Sequence, residues 1–324
     1  MLIAFSSSLL FFMQAENKQP ASLGLVIIAF AIVYIVWGST YFFIQSSEKG
    51  FPPFLLGAVR FSASGILLLL WCAIRKEILF NRRQILYAFV TGNLLLFIAN
   101  GSIIWAEQVL PSSFVAVLVS AVPVWFVLLD GTNRKANLKN SKIVIGIIIG
   151  FLGVVLLFGQ KLLSAMASAN SSSILINMLV VVVGNICWAI GSLYSKKHSE
   201  GSVMVGAAWQ MIAAALSFTI LTFSTGEFSH FHVEQVSINA WLSVLYLVTM
   251  GSLAGYSAYI WLLTVRPATQ VSTNAYVNPV VAVLLGVLFA GETMSGVQLL
   301  ALAIILSSVF IINLDKYKRK KIIE

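Results

Sequence analysis

The chain is 324 residues long, 59% hydrophobic and only 10% charged, against roughly 25% charged residues in an ordinary soluble domain, which excludes a water-soluble globular protein. Its formal net charge of +9 does not mark a nucleic-acid binder, because the placement of the basic residues follows the loops between apolar runs. Runs near the ~20 residues needed to cross a ~30 Å hydrocarbon core recur throughout, while the strand-type alternation of an outer-membrane barrel is missing.

In chain order, the opening MLIAFSSSLLFFM is too short to span and has no basic flank, so it makes a poor secretory signal. Residues 1–23 read as an N-terminal cytoplasmic segment, with Met13 an alternative start and an interfacial segment the other reading. Ten candidate spans follow, at about 24–46, 53–74, 84–106, 112–130, 142–160, 173–195, 202–223, 240–263, 269–289 and 295–313. Residues 314–324 form a basic cytoplasmic tail. Of the 20 Lys and Arg residues, 17 fall in loops or ends on one side of this arrangement. Lys49 and Lys161 lie opposite, and Arg60 lies inside a span. The positive-inside rule then puts both termini in the cytoplasm. Cys72 and Cys187 both sit in spans, so no disulfide framework is expected.

The chain is written twice. WGSTY, Trp37 to Tyr41, returns as WAIGSLY, Trp188 to Tyr194, around a shared Gly-Ser-x-Tyr. Trp105 and Trp261, Pro111 and Pro267, and Pro123 and Pro279 are each 156 residues apart. Residues 24–160 and 173–313 thus read as two repeats of five spans. Because five is odd, the second enters the membrane from the opposite side. The fold class is an all-α polytopic membrane protein of ten transmembrane helices in two inverted five-helix repeats, an arrangement of secondary transporters whose sites lie near the midplane. Pro123 and Pro279 sit at matched depth in the fourth span of each copy, as helix-breaking or gating elements beside a cavity, or as tolerated kinks.

Three stretches in this order, VWGSTYFFIQSSEKGFPPFLLGAVRF, VAVLVSAVPVWFVLLD and GYSAYIWLLTVRPATQVSTNAYVNPVVAVLLGVLFAGET, resemble the EamA-domain branch of the drug/metabolite transporter superfamily. The resemblance covers roughly residues 24 to 313. It implies a ten-helix carrier that exports small metabolites or drugs, with the first four helices of each repeat around a central cavity. The linker DGTNRKANLKNSK is unusually polar for that family and takes no binding role.

Arg60 is the charge well inside a span. A bilayer-centre charge costs at least ~2.5 kcal/mol, which makes it a functional candidate. Two readings stand: a structural anchor that snorkels or holds a carbonyl, or a fork that grips a substrate carboxylate. Glu107 is its nearest acidic partner by depth. Asn93 and Asn100, seven apart, are expected on one face, as are Asn274 and Asn278, four apart. With Trp37, Tyr41, Trp188, Tyr194, Tyr256 and Tyr276 the amides outline an apolar pocket with a few polar fixtures. The alternative for each is interhelical bonding or the interfacial aromatic belt.

No carboxylate is expected near a midplane, so a dedicated organic-cation exporter is disfavoured and neutral or zwitterionic metabolites, amino acids included, fit better. GIIIG, Gly146 to Gly150, is expected to pack helices within the monomer. The HFH stretch, with His230 and His232, reads as a solvated loop, not a metal site. No Ser-His-Asp convergence and no phosphate loop with its lysine is present, so the reading is not an enzyme, needs no cofactor or metal, and binds no nucleic acid. Expected partners are a small-molecule substrate and membrane lipids, with the chain a monomer or homodimer in the inner or plasma membrane. The rival readings are a membrane sensor, a membrane-embedded lipid-intermediate enzyme, or a passive channel.

Overall fold

The computed structural model describes residues 22–110, 112–168, 171–290 and 295–313, and every regular element among them is helical. The opening segment, Pro111, residues 291–294 and the basic tail, on which several of the expectations above fall, lie outside the described residues. The helices are α1 Leu23–Ser47, α2 Pro53–Ile74, α3 Arg82–Glu107, α4 Ser112–Val119, α5 Val122–Leu129, α6 Arg134–Lys139 and α7 Ser141–Ser168. They continue as α8 Ser171–Lys197, α9 Val203–Ser224, α10 Ile238–Val265, α11 Ala268–Val271, α12 Asn274–Ala290 and α13 Gly296–Asn313.

Their starts are written locally. Ser22, Ser202 and Ser237 each accept a backbone N–H of the first turn, and Asn81 accepts those of Arg83 and Gln84. Such side chains satisfy donors that a helix start leaves free. Pro53 opens α2, where its missing N–H costs nothing. Among the described residues, six helices are long and apolar enough to cross a membrane: α1, α2, α3, Ser173–Lys197 of α8, α9 and α10. Shorter apolar stretches lie at Val115–Leu129, Ser141–Leu157 and Gly296–Ile312. Outward side chains such as Ile27, Ile35, Leu70, Leu152, Ile220 and Phe310 are exposed and apolar, as a hydrocarbon solvent requires.

The packing pairs like with like. α2 runs along α9, and α7 along α13. α3 packs on α8 as α10 packs on α1, and α4 and α5 meet α8 as α12 meets α1. Gly146 and Gly150 face α13: an added Cβ would lie 2.5 Å from Ile312 and 2.7 Å from the Ser308 hydroxyl. The small-residue spacing therefore serves packing within the chain, where a methyl group would force α7 and α13 apart.

Two departures from ideal helix matter for the site. α3 is a π-helix over Asn93–Ala99, and α10 over Leu247–Tyr256. The second stretch contains the first shifted by the 156-residue repeat offset. The matched prolines behave differently from the expectation of paired breaks. Pro123 stands in the first turn of α5, beside a break at Ser120 and Ala121. Pro279 lies inside α12, which runs through it, and the break comes earlier, at Ser272 and Thr273.

The loops form two chemically distinct ends. At one, the Glu227 carboxylate accepts the Leu55 and Phe54 N–H groups at 2.9 and 3.4 Å, and Phe51 packs on Phe231 and Trp241. Glu48, Glu234, His230 and His232 belong to the loops here, the acidic end. At the other, the basic end, Arg83 pairs with Glu200 at 3.6 Å and the Trp209 indole N–H donates to the Leu79 carbonyl.

Candidate functional site

A cavity of about 90 Å³ opens between α1, α2, α3, α8, α10, α12 and the α4–α5 break. That volume has room for several waters or one small solute. α1 contributes Trp37, Thr40, Tyr41 and Ile44, and α3 contributes Leu96, Ala99, Asn100 and Ile103. The α1 set follows the i, i+3, i+4, i+7 spacing of a single helix stripe. Across from them stand Arg60 of α2, Gly184, Asn185 and Trp188 of α8, Gly251, Ser252 and Tyr256 of α10, and Asn274, Ala275 and Asn278 of α12. α1 lies close to α12 because position 38 is glycine; a Cβ there would sit 2.5 Å from Val281.

Arg60 is only 6% exposed, and its Nε donates to Ser252 Oγ at 2.9 Å. Its guanidinium lies 5.0 Å from the Phe61 ring centre. Among the described residues no ion pair joins Arg60 to a carboxylate; Glu107 instead stands within electrostatic reach of the Tyr41 hydroxyl. A buried cation without a counter-charge is costly unless a ligand supplies one. Asn274 and Asn278 are each 5% exposed, and the side-chain oxygen of each has no hydrogen-bond partner. Among the described residues, the cavity thus holds one cation with no carboxylate paired to it and two amides whose oxygens lack a hydrogen-bond partner.

Its aromatic floor is built by Trp37 and Trp188, with Tyr259 packed against both from outside the lining. Trp37 meets Trp188 edge-on at 5.5 Å and Tyr259 at 4.9 Å, while the Trp37 indole N–H donates to the Gly251 carbonyl at 3.1 Å. Below the floor, toward the basic end, Tyr34 and Thr273 share a 2.7 Å hydroxyl bond.

Not every expected residue arrives here. Tyr276 follows Asn274 by two positions, about 200° around the helix, and so faces away, its hydroxyl donating to the Ile147 carbonyl of α7 at 3.0 Å. Tyr194 packs on Tyr87 and His198 at the basic end. Neither Pro123 nor Pro279 lines the cavity. Asn93 also turns elsewhere: its Oδ1 accepts from Ser217 of α9 at 2.6 Å. The wider turns of the π stretch separate it from Asn100, whose place on a common face assumed an unbroken 3.6-residue period.

Three polar residues of the site were not singled out from sequence: Thr40, Ser252 and Asn185. Asn185 donates to the Leu118 carbonyl at 2.7 Å and braces the α4–α5 break. Its signal was an amide inside the apolar run of α8. At the acidic end Glu48, the residue after α1, has its carboxyl pushed up to about 7 by burial. His230 and His232 gather no metal-binding cluster among the described residues.

Known proteins place this architecture. The model of the EamA-like transporter family matches the chain twice, over residues 24–159 and 175–314. The chain is 36% identical over 288 residues to YedA, an uncharacterized inner membrane transporter of Escherichia coli (strain K12), covering 88% of this chain and 89% of the relative. It is 23% identical over 287 residues to a probable amino-acid metabolite efflux pump of Salmonella typhimurium, covering 86% and 92%. A crystal structure at 20% identity has the same fold, with a TM-score of 0.72 over 90% of this chain and 98% of that one.

Proposed function

The chain belongs to the EamA-like transporter family and is an integral membrane transporter, and from that premise we propose that it carries small zwitterionic or neutral organic metabolites, amino acids among them, outward by alternating access. The observation that carries the substrate class is Arg60, buried and unpaired with a carboxylate, in one cavity with the unmet amide oxygens of Asn274 and Asn278. Arg60 offers a fork to a carboxylate. The two amides offer acceptors to an ammonium or hydroxyl group. A permanent cation would meet Arg60 with no carboxylate lining the cavity to offset the repulsion.

Ten spans in two inverted five-helix repeats are the architecture proposed for this activity. Support comes from the twofold family match, from the like-with-like packing of α2 on α9 and α7 on α13, and from π stretches at the repeat offset. With the basic end in the cytoplasm, both termini lie there too. Export as the direction rests on the efflux pump among the relatives. The solute's own gradient drives the cycle on this reading, since among the described residues no acidic side chain lines the cavity to carry a proton.

Purified protein in proteoliposomes provides the test. Preloading with an amino-acid mixture should give saturable counterflow of labelled amino acid, and an imposed pH gradient should leave its rate unchanged. Linear, non-saturating flux would replace the carrier by a channel. Strong preference for permanent organic cations would remove the Arg60 assignment.

A further inference from the structure

Tyr256 lines the central cavity with its ring, but its hydroxyl turns away and donates to Gln210 Oε1 at 2.6 Å. Gln210 in turn lines a second, smaller cavity of about 40 Å³ at the basic end, between α3, α8, α9 and α10. There its Nε2 lies 3.5 Å from Ser195 Oγ. Tyr256 and Gln210 are 2% and 5% exposed, so the pair forms a buried partition between two cavities. Further links tie α8 to the same half of α10. The Tyr259 hydroxyl meets Ser192 Oγ at 2.7 Å, and Lys196 Nζ donates to the Leu263 and Arg266 carbonyls at 2.6 and 2.5 Å.

α9 is held to α3 at Gly92, which lies so close to the Gln210 carbonyl that no Cβ could fit. Tyr256 closes the π stretch of α10, and the part that carries the Tyr259 and Leu263 links, Ser257–Val265, follows directly after it. A π stretch in a long helix is a common seat of a hinge. On these grounds, and resting on the carrier reading above, we propose that the Tyr256–Gln210–Ser195 chain is the closed leaf of the solute path. The second cavity is the compartment by which solute passes to or from the basic end, and the leaf opens when Ser257–Val265 swings about the π stretch and draws Tyr256, the last residue of that stretch, away from Gln210.

The chemistry suits a moving part. An apolar leaf would expose hydrocarbon to water each time it opened. A hydrogen-bonded leaf exchanges protein partners for water, so both states are satisfied. Gln210 is a positioning residue here, since it holds Tyr256 and touches no solute while the leaf is closed.

Cysteine labelling tests this without any solute. In a background lacking the two native cysteines, Cys72 and Cys187, Thr264→Cys in the second cavity identifies the vesicle face by reacting with an impermeant methanethiosulfonate. Ala275→Cys in the central cavity then reports the leaf from that same face. Gln210→Ala should raise its labelling rate about tenfold, and Tyr256→Phe, which keeps the ring, about threefold, as expected for losing one or two buried hydrogen bonds from the closed state. Thr264→Cys should label equally in all backgrounds. Unchanged Ala275→Cys labelling in Tyr256→Phe and Gln210→Ala, with Thr264→Cys still reactive, overturns the partition. Increased labelling in a protein that shows no counterflow would instead sink the carrier reading and leave the leaf in place.

Discussion

α2 and α9 are each 22 residues long, lie against one another, and carry a buried polar side chain at the same place, Arg60 and Gln210, the eighth residue of each. Their surroundings differ. Arg60 donates to Ser252 and faces the central cavity, whereas Gln210 sits between Tyr256 and Ser195 and faces the basic-end cavity. A similar contrast separates the fourth helices. Val122 and Asn278 are related by the repeat offset and both line the cavity, one apolar and one an amide. The family model matches the chain twice, and on the proposed repeat architecture substitution at matched positions made the chemistry of the site one-sided. A ligand with distinct polar ends needs such a site, since a symmetric one would offer both ends the same groups.

The sharpest way to break this comparison is Arg60→Ala. Losing a buried charge partner costs roughly 2–5 kcal/mol, so counterflow of a carboxylate-bearing solute should fall by about a hundredfold, with Arg60→Lys recovering part of it. Equal loss for a substrate without a carboxylate would make Arg60 a structural anchor. Next comes the matched pair in the fourth helices. Asn278→Ala should raise the half-saturation concentration about tenfold, from one hydrogen bond of roughly 1–1.5 kcal/mol, while Val122→Ala should stay within about threefold. Similar effects at both positions would remove the one-sidedness.

Tyr276→Phe addresses the face of α12 that points away from the cavity. It should lower the thermal midpoint by the few degrees that follow from about 1 kcal/mol and leave the half-saturation concentration unchanged. A shift in the latter would return Tyr276 to the site. The last test falls on Glu48, at the end of α1. Because burial raises its carboxyl to about 7, the folded state holds that proton more tightly than the unfolded chain. Its contribution is therefore full below the ordinary carboxylate range and is lost as pH rises through about 7. The midpoint of the wild type should fall between pH 5 and pH 8, and Glu48→Gln should flatten that fall. An identical slope in both proteins would assign it to another group.

Much of the site was legible in local spacing. Trp37 and Tyr41 stand four apart on one stripe of α1, and Asn274 and Asn278 likewise on α12; both pairs reach the cavity. Tyr276 was misread because an aromatic two residues from a site residue looks near in the sequence but lies across the helix. Asn93 misleads because nothing in NLLLFIA announces a π-helix; its widened turns lie where α3 packs on α8 and α9. Ser252 gave no signal, since one serine among several in α10 is told apart only by the arginine that reaches it.

The sequence by itself determined the solvent, the helical segments and the doubling of the chain, because hydrocarbon forces each backbone segment to satisfy its own hydrogen bonds and so writes length, capping and apolar run into contiguous residues. Tertiary structure alone decided which polar groups meet. Arg60 and Ser252 are 192 residues apart, and Tyr256 and Gln210 are 46 apart. The rotation of each helix about its axis is set by the neighbours it packs against and by π stretches that shift its faces, and no local pattern encodes either.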